Sequence, residues 1–199
     1  MSVRDVNSNF KYEWYLKNGY PKSYGLKVFT TFACGGGSTM GYKLAGFDVI
    51  GSNDIDPQLT AVYKTNHKPK YQYVCPIKDL IDIPLPDELF NLDIFDGSPP
   101  CSTFSSSGLR EKAWGKKKHF REGQAKQVLD DLFFDFIDVA ERLQPKVIVA
   151  ENVSGMLKGN AKGYLIEIAK KLKKIGYETQ IFLLDSSTMG VPQKRRRVF

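Results

Sequence analysis

Short apolar runs alternate with helical patterns along most of the chain, and this alternation restricts the possible folds more than any other feature. Runs rich in β-branched and aromatic residues predict strands. They cover residues 26–32, 47–52, 92–95, 147–150 and 177–184, with a shorter candidate at 71–75. Strands that alternate with helices assemble into a mostly parallel sheet with helices on both faces, so we predict a doubly wound α/β fold.

Helical patterns occupy the intervals between these strands. Residues 38–45 form a short pattern, and Asp56 followed by Pro57 predicts the cap and first turn of another helix. The clearest stripe, 129–143, carries apolar residues at spacings of three and four, and a second stripe lies at 164–175. Each of these helices therefore has an apolar face that can pack against the sheet.

The chain has 199 residues, of which 42% are hydrophobic and 26% charged, which suits a globular domain and excludes a disordered or coiled-coil chain. It has no apolar run of the ~20 residues that a membrane span needs, and its start does not resemble a signal peptide. Three widely spaced cysteines predict neither disulfides nor a metal site. We expect a monomeric cytoplasmic protein, nucleoid-associated if bacterial, with an N-terminal extension at 1–25 and a core domain at 26–199.

The excess positive charge lies in one half of the chain. Lys and Arg number 29 against 22 Asp and Glu, a net charge of +7. The first 100 residues hold ten basic and eleven acidic residues, so the remaining 19 basic and 11 acidic residues give 101–199 a net charge of +8. Such asymmetry indicates a polyanionic partner, although a solvated, Lys-rich helix face explains part of it equally well.

Ligands of a doubly wound sheet bind where its strands end, and a glycine turn follows the first predicted strand. Gly35, Gly36 and Gly37 let the backbone approach a ligand closely, but their spacing is not the dinucleotide-binding fingerprint. Asp54 follows the second strand, where a carboxylate can accept hydrogen bonds from both hydroxyls of a ribose. The pair favours an adenosine cofactor; the alternatives are a tight turn without a ligand and a loop acid.

Cys101 directly follows Pro99 and Pro100, after another predicted strand. Two prolines stiffen this loop, and the basic residues that follow favour a thiolate, so Cys101 is a candidate nucleophile. The alternative is a buried structural cysteine, which is our interpretation of Cys34 and Cys75.

Polar groups follow two further apolar runs. Glu151 and Asn152 come after a predicted strand, where a carboxylate can share a proton with a ring nitrogen or simply cap the next segment. The basic cluster 193–197 leads into an apolar pair, as the start of a strand would. Alternation then places Arg195 and Arg197 on one face, where two guanidinium groups suit a phosphate or a base oxygen, unless the run is only a solvated face.

Four motifs in this order resemble those of the DNA (cytosine-5)-methyltransferase family. They are Phe32-Ala-Cys-Gly-Gly-Gly37, Ser98-Pro-Pro-Cys101, Glu151-Asn-Val153 and Gln193-Lys-Arg-Arg-Arg197. The resemblance implies the Rossmann-like fold of S-adenosylmethionine-dependent methyltransferases. It also implies transfer of a methyl group from S-adenosylmethionine to carbon 5 of a cytosine flipped out of duplex DNA, in restriction-modification or a phage, with S-adenosylhomocysteine as the product.

The resemblance implies roles for individual residues. Cys101 would attack carbon 6 of the ring as a thiolate, Glu151 would contact ring N3 and the exocyclic amine, and Asn152 would order the site. Arg197 would contact the cytosine O2, and Arg195 a phosphate and a loop nearby. The basic segment after Cys101 would be a mobile loop on the DNA phosphates. The implied DNA-binding residues are Ser105, Arg110, Lys112, Lys116, Lys117, Lys118, Arg121 and Gln193.

On the cofactor side, the resemblance places Phe32 over the adenine, the glycine turn near the methionine part and Asp54 on the ribose. The implied cofactor-binding residues are Phe32, Ala33, Gly35, Gly36, Gly37, Asp54, Ile55, Asp79, Pro99 and Leu132.

The chain departs from the family's pattern at four positions and in length. Thr30 and Cys34 stand where the family usually has Asp and Gly, and Ser102 stands where Gln usually follows the cysteine. Pro76 stands where an acid usually meets the adenine amine, and Asp79 is a candidate substitute. Family members continue into a target-recognition region, so we expect a core that is truncated before it and is weak or inactive alone.

Two other functions stay open. A Pro-Pro-Cys turn also occurs in a tRNA-modifying branch of the family, so the substrate could be a cytosine in RNA. The chain could also be an inactive module that binds the cofactor or nucleic acid.

Overall fold

The computed structural model describes residues 15–100, 117–118, 127–128, 131–158 and 161–199. The strands are β1 Lys27–Thr31, β2 Asp48–Asp54, β3 Tyr71–Val74, β4 Ile94–Gly97, β5 Lys117–Lys118, β6 Gln127–Val128, β7 Val147–Ala150, β8 Asn152–Val153, β9 Leu183–Asp185 and β10 Arg196–Val198. The α-helices are α1 Gly37–Leu44, α2 Pro57–His67, α3 Leu132–Leu143 and α4 Ala161–Lys174. Short 3-10 helices lie at Leu16–Asn18, Ile77–Ile81, Asp87–Phe90, Ser154–Leu157 and Ser186–Thr188. Across the described ranges, no helix has the length and apolar character needed to cross a bilayer.

Five parallel strands form the central sheet in the order β3-β2-β1-β4-β7. Thr30 on β1 lies beside Asp96 on β4, and Gly97 lies beside Ala150 on β7. The chain runs outward from β1 to β3 and then continues on the other side of β1, so the direction of the connections reverses there. Because such connections are right-handed, the helices cover both faces of the sheet. The predicted doubly wound α/β fold is confirmed, and its ligand edge lies where β1 and β4 end.

The helical predictions agree with the structure. Asp56 caps α2, because its carboxylate accepts a 2.9 Å hydrogen bond from the backbone N–H of Gln58, and Pro57 occupies the first turn. The longest apolar stripe forms α3, which packs on the central sheet. Its Phe136 stacks on Phe95 of β4 with ring centroids 4.7 Å apart, and both rings are fully buried. Aromatic packing therefore fixes β4, the strand that leads to Cys101.

A second sheet begins where β7 ends, in the order β8-β10-β9. The predicted strand at 177–184 is wrong over most of its length, because β9 covers only Leu183–Asp185. A groove of about 550 Å³ separates residues 178–181 from β7. A strand forms only where a neighbouring backbone lies within hydrogen-bonding distance, so the apolar alternation of this segment is not sufficient.

The described residues before β1, 15–26, lie at the surface of the domain. Tyr24 attaches it: its backbone N–H donates to the carbonyl of Gly46 at 2.8 Å, and its ring covers that glycine. A Cβ at Gly46 would lie 2.5 Å from the ring carbon Cε2 of Tyr24. The Lys43 ammonium lies 5.4 Å from the centre of the Tyr20 ring, which is a cation–π distance. Residues 20–24 therefore pack against the end of α1.

Candidate active site

The turn between β1 and α1 has an unusual backbone. Phe32 and Cys34 have φ angles of 52° and 45°, in the left-handed region that few residues other than glycine adopt. Cys34 is exposed, so its interpretation as a buried cysteine is wrong. Between Phe32 and Cys34, the Ala33 N–H donates to the carbonyl of Asn53 at 3.2 Å. The turn is therefore attached to the end of β2, and two of its residues have backbone conformations that raise the free energy of the folded chain.

The three glycines of the turn have different surroundings. A Cβ at Gly36 would lie 2.1 Å from the Nε2 atom of His67, at the end of α2. Among the described residues, a Cβ at Gly35 or Gly37 would meet no atom within 4 Å. The turn therefore packs against α2 on one side and faces open space on the other, where a ligand has room to bind.

Asp54 ends β2 and faces this turn. One carboxylate oxygen accepts the backbone N–H of Cys34 at 2.8 Å, and the other accepts the N–H of Asp56 at 2.9 Å. Asp54 is only 8% exposed. An ionised carboxylate offers about four lone-pair sites, so about two stay open to hydroxyl donors. The remaining acceptor positions suit the hydroxyls of a ribose. The two backbone hydrogen bonds are also those expected of a loop acid without a ligand, so both alternatives for Asp54 are consistent with the structure.

The end of β3 lies beside that of β2. The side-chain amide of Asn53 donates to the carbonyl of Cys75 at 2.9 Å, which fixes the chain just before Pro76. Burial raises the pKa of the Cys75 thiol, and the negative charge of Asp79 raises it further. Asp79 therefore lies within electrostatic range of Cys75, the residue before Pro76. Ile55, on the neighbouring loop, is partly buried.

The remaining residues of the implied cofactor set differ in burial. Phe32 is partly buried against the core, and Pro99 is buried after β4. Leu132 is 2% exposed, within the core at the start of α3. The structure therefore places Phe32 at the turn and Leu132 in the core at the start of α3, and the cofactor contact of Leu132 stays a prediction.

A buried carboxylate that the sequence motifs do not include lies beside the turn. Asp96 of β4 is 7% exposed and accepts hydrogen bonds from the hydroxyls of Thr30 (2.9 Å), Ser38 (2.6 Å) and Tyr42 (3.1 Å). Burial raises the pKa of Asp96, and these hydroxyl donors oppose the shift. The sequence signal for Asp96 is an acid directly after a predicted strand. That pattern by itself predicts an exposed acid, because isolated acids are rarely buried.

The ends of β4 and β7 form one hydrogen-bonded unit. Asn152 is 6% exposed; its amide nitrogen donates to the carbonyl of Pro99 at 2.9 Å, and its amide oxygen accepts the N–H of Val153 at 2.8 Å. The Glu151 N–H donates to the carbonyl of Gly97 at 2.9 Å. The proline turn and the Glu-Asn pair, which are distant in sequence, are therefore held together.

Arg197 brings the arginine cluster to this unit. Its Nε atom lies 2.8 Å from Oε1 of Glu151, with the two side chains 23% and 28% exposed. Arg195 lies directly before β10, which begins at Arg196, and its carbonyl accepts from the Ser186 N–H at 3.0 Å; that its side chain shares a face with that of Arg197 stays a prediction. Arg195 is exposed, as is Gln193. The structure therefore brings Arg197 of the cluster to the Glu-Asn pair.

Several predicted residues fall outside the described part of the chain. They are Cys101, Ser105, Arg110, Lys112, Lys116 and Arg121. Lys117 and Lys118 form β5, which pairs antiparallel with β6. Pro100, the residue before the candidate nucleophile, is exposed at the end of the described turn.

The parallel sheet, with its ligand edge between β1 and β4, is that of the Rossmann-like methyltransferases. Residues 26–199 match the family described as C-5 cytosine-specific DNA methylase, and the chain belongs to this family.

Individual relatives agree with the family match. The type II methyltransferase M.NgoPII of Neisseria gonorrhoeae is 30% identical over 189 residues, which cover 92% of this chain and 50% of the relative. M.FnuDI of Fusobacterium nucleatum, also a type II methyltransferase, is 33% identical over 174 residues, which cover 87% of this chain and 46% of the relative. The chain therefore spans about half the length of the curated relatives it matches.

A solved structure supports the fold. A protein described as a DNA modification methyltransferase encoded within an E. coli prophage matches with a TM-score of 0.65 at 21% identity. The match covers 87% of this chain and 45% of the other.

Proposed function

We propose that this chain is the catalytic portion of an enzyme that methylates carbon 5 of cytosine in DNA, as in a restriction-modification system. The ion pair between Glu151 and Arg197 carries the proposal. It places an acid and a guanidinium group together beside the turn that leads to Cys101. These are the groups that a cytosine ring needs around it: a nucleophile, a partner for N3 and the amine, and a donor for O2.

Carbon 5 of cytosine is a weak nucleophile, and Cys101 activates it. The Cys101 thiolate attacks carbon 6 of the ring. This attack forms a carbon–sulfur bond and moves the ring electrons toward carbon 5. Carbon 5 can then accept a methyl group, whose bond to the sulfonium sulfur of the donor would break so that S-adenosylhomocysteine leaves. When carbon 5 afterwards loses its proton to water, the carbon–sulfur bond breaks, the ring double bond is restored and the Cys101 thiolate is released.

Glu151 and Arg197 stabilise the charge that this attack creates. Glu151 accepts a hydrogen bond from the exocyclic amine and shares a proton with N3, where negative charge accumulates. Arg197 holds the Glu151 carboxylate in place through a charge-assisted hydrogen bond and donates to the cytosine O2. Asn152 keeps the proline turn, and with it the attachment point of Cys101, at a fixed position beside Glu151.

S-adenosylmethionine, when bound, supplies the electrophilic methyl group. The residues present fit this cofactor: Asp54 has acceptor positions left for the ribose hydroxyls, and the space over Gly35 and Gly37 is open to the methionine part. Phe32 covers the adenine side of the turn. Asp79 takes the place of the acid that Pro76 does not provide.

Duplex DNA is the proposed partner. The target base has to leave the base stack to reach Cys101, and the net charge of +8 on 101–199 provides contacts to phosphates. The basic residues 110–121 and Gln193 are proposed to make them. The relatives are about twice as long as this chain, and we propose that selection of the DNA sequence needs residues beyond 26–199.

The test is a covalent trap. The chain is tested within its full-length protein, which is incubated with S-adenosylmethionine and a duplex of mixed sequence in which 5-fluorocytosine replaces cytosine, because fluorine blocks the final elimination. A complex that survives denaturing electrophoresis is expected from the wild type and from Cys75→Ser, the matched control. Cys101→Ser should give none. A complex that persists in Cys101→Ser, or one that forms without the cofactor at the same rate, contradicts the mechanism.

Parallel reactions separate the alternatives. A structured RNA that contains 5-fluorocytidine replaces the duplex in one of them, and a stronger trap there identifies RNA as the substrate. Calorimetric binding of S-adenosylhomocysteine with no trap on either nucleic acid indicates a binding module.

A further inference from the structure

We infer that Asp96 is a positioning residue for the cofactor-binding turn, which it holds through the first turns of α1. The inference rests on the proposed function, because it assigns a role in the same site. Asp96 belongs to none of the four sequence motifs. It is 7% exposed, and its carboxylate bonds to the strand before the glycine turn and to the helix after it.

The hydrogen bonds of Asp96 join two elements to β4. Thr30 belongs to β1, one residue before its end, whereas Ser38 and Tyr42 belong to α1. Ser38 and Tyr42 are four positions apart, so they lie on the same face of that helix. The carboxylate therefore fixes both ends of the glycine turn, the strand before it and the helix after it.

The two carboxylate oxygens of Asp96 accept different numbers of hydrogen bonds. Oδ2 accepts from both Thr30 and Ser38, and Oδ1 accepts from Tyr42. All three donors are neutral hydroxyls, and an amide at this position has only one oxygen. In Asp96→Asn, at least one hydroxyl loses its acceptor whichever way the amide is turned. Because the site is buried, the unpaired group carries a desolvation penalty, and α1 is released from the sheet on the side of the turn.

The pairing of β1 with β4 suggests a variant that moves the carboxylate from position 96 to position 30 without removing it. Thr30 and Asp96 are direct neighbours on parallel strands, so their side chains lie on the same face of the sheet. The exchange Thr30→Asp with Asp96→Thr keeps one carboxylate and one hydroxyl at this place. If Asp96 acts by attaching α1 to the sheet, the exchanged pair should restore most of the ligand affinity that Asp96→Asn loses.

The experiment measures the affinity for S-adenosylmethionine and S-adenosylhomocysteine by calorimetry. We expect Asp96→Asn to weaken both ligands equally, by about tenfold, and Tyr42→Phe by about threefold, as losses of buried hydrogen bonds do. The exchanged double variant should recover to within about threefold of the wild type. Asp93→Asn is the matched control: Asp93 precedes β4 at the far end of the sheet and accepts from the Lys27 N–H and from Lys146, so its loss should leave both affinities unchanged.

Three results would overturn this role of Asp96. The first is wild-type affinity for both ligands in Asp96→Asn with a normal melting temperature, and the second is an exchanged double variant that folds but does not regain affinity. The third is an unequal loss of affinity for the two ligands, which would indicate direct contact between Asp96 and the sulfonium. Amide hydrogen exchange of residues 38–44, measured without ligand, separates this inference from the proposed function. Faster exchange in Asp96→Asn but not in Asp93→Asn supports the role of Asp96 even if the wild type binds neither ligand, and equal exchange contradicts it.

Discussion

The side-chain amide of Asn152 donates a 2.9 Å hydrogen bond to the backbone carbonyl of Pro99. This bond joins the ends of two neighbouring parallel strands and is buried. The carbonyl it satisfies precedes the Pro100–Cys101 peptide, so the bond sets the direction in which the chain leaves β4. Asn152 therefore supports the nucleophile without having to touch the substrate.

Asn152→Ala should lower both stability and activity. The substitution leaves the Pro99 carbonyl and the Val153 N–H without these partners, which costs about 1–3 kcal/mol of unfolding free energy for buried groups. Urea denaturation measures this loss, and the fluorocytosine trap should form more slowly. Asn91→Ala is the control, because Asn91 is exposed and its removal should change stability by about 0.5 kcal/mol or less. Equal effects of the two substitutions would contradict the role of Asn152.

Glu151→Gln should affect activity far more than stability. The ion pair with Arg197 is partly exposed, and such pairs contribute about 1 kcal/mol or less to folding. Loss of the acid beside the ring should slow adduct formation by about a hundredfold. Single-turnover trapping at saturating cofactor measures the rate, and thermal unfolding measures stability.

The control for Glu151 is a surface carboxylate. Glu167→Gln removes the pair with Lys170, whose side chains are 59% and 68% exposed, and should change neither rate nor melting temperature. A trapping rate in Glu151→Gln within threefold of the wild type would remove Glu151 from the proposed mechanism.

Much of the fold could be predicted, and so could the edge that carries Asp54, Glu151 and the turn before Cys101, because each of these follows an apolar run. Parallel strands bring their carboxyl ends to one edge of the sheet, so these three had to lie along the same edge. The cap of α2 is local as well, since Asp56 bonds to residues two and three positions later. Local and periodic features of this kind can be recognised in a single sequence.

Contacts between distant residues could not be predicted in this way. The hydroxyls that bind Asp96 come from positions 66, 58 and 54 residues away, and Thr, Ser and Tyr have no periodicity that reveals a shared partner. Residues 178–181 illustrate the opposite error, because their alternation favours a strand but a groove separates them from β7. Periodicity predicts which residues can form a strand, whereas the arrangement of neighbouring backbones decides whether they do.

Gly36→Ala should destabilise the turn through two separable effects. Gly36 has a φ of 91°, which costs a residue with a Cβ about 1–2 kcal/mol, and its Cβ would overlap the His67 ring at 2.1 Å, which adds about 1–3 kcal/mol of overpacking. His67→Ala removes the overlap but not the backbone strain. A double-mutant cycle by urea denaturation should therefore show partial rescue. Strictly additive losses would contradict the contact between Gly36 and the ring.

Cys34→Gly should stabilise the chain. Cys34 has a φ of 45°, and a Cβ in the left-handed region costs about 1–2 kcal/mol, whereas glycine adopts it freely and loses about 0.5–1 kcal/mol through backbone entropy. The net gain should be about 0.5–1 kcal/mol in urea denaturation. The Cys34 N–H stays in place to bind Asp54, so cofactor affinity should be kept or increased. Cys34→Ser separates the backbone effect from loss of the thiol, because serine keeps the Cβ and should not stabilise the chain. Equal stabilisation by both substitutions would show that the thiol, and not the backbone strain, is responsible.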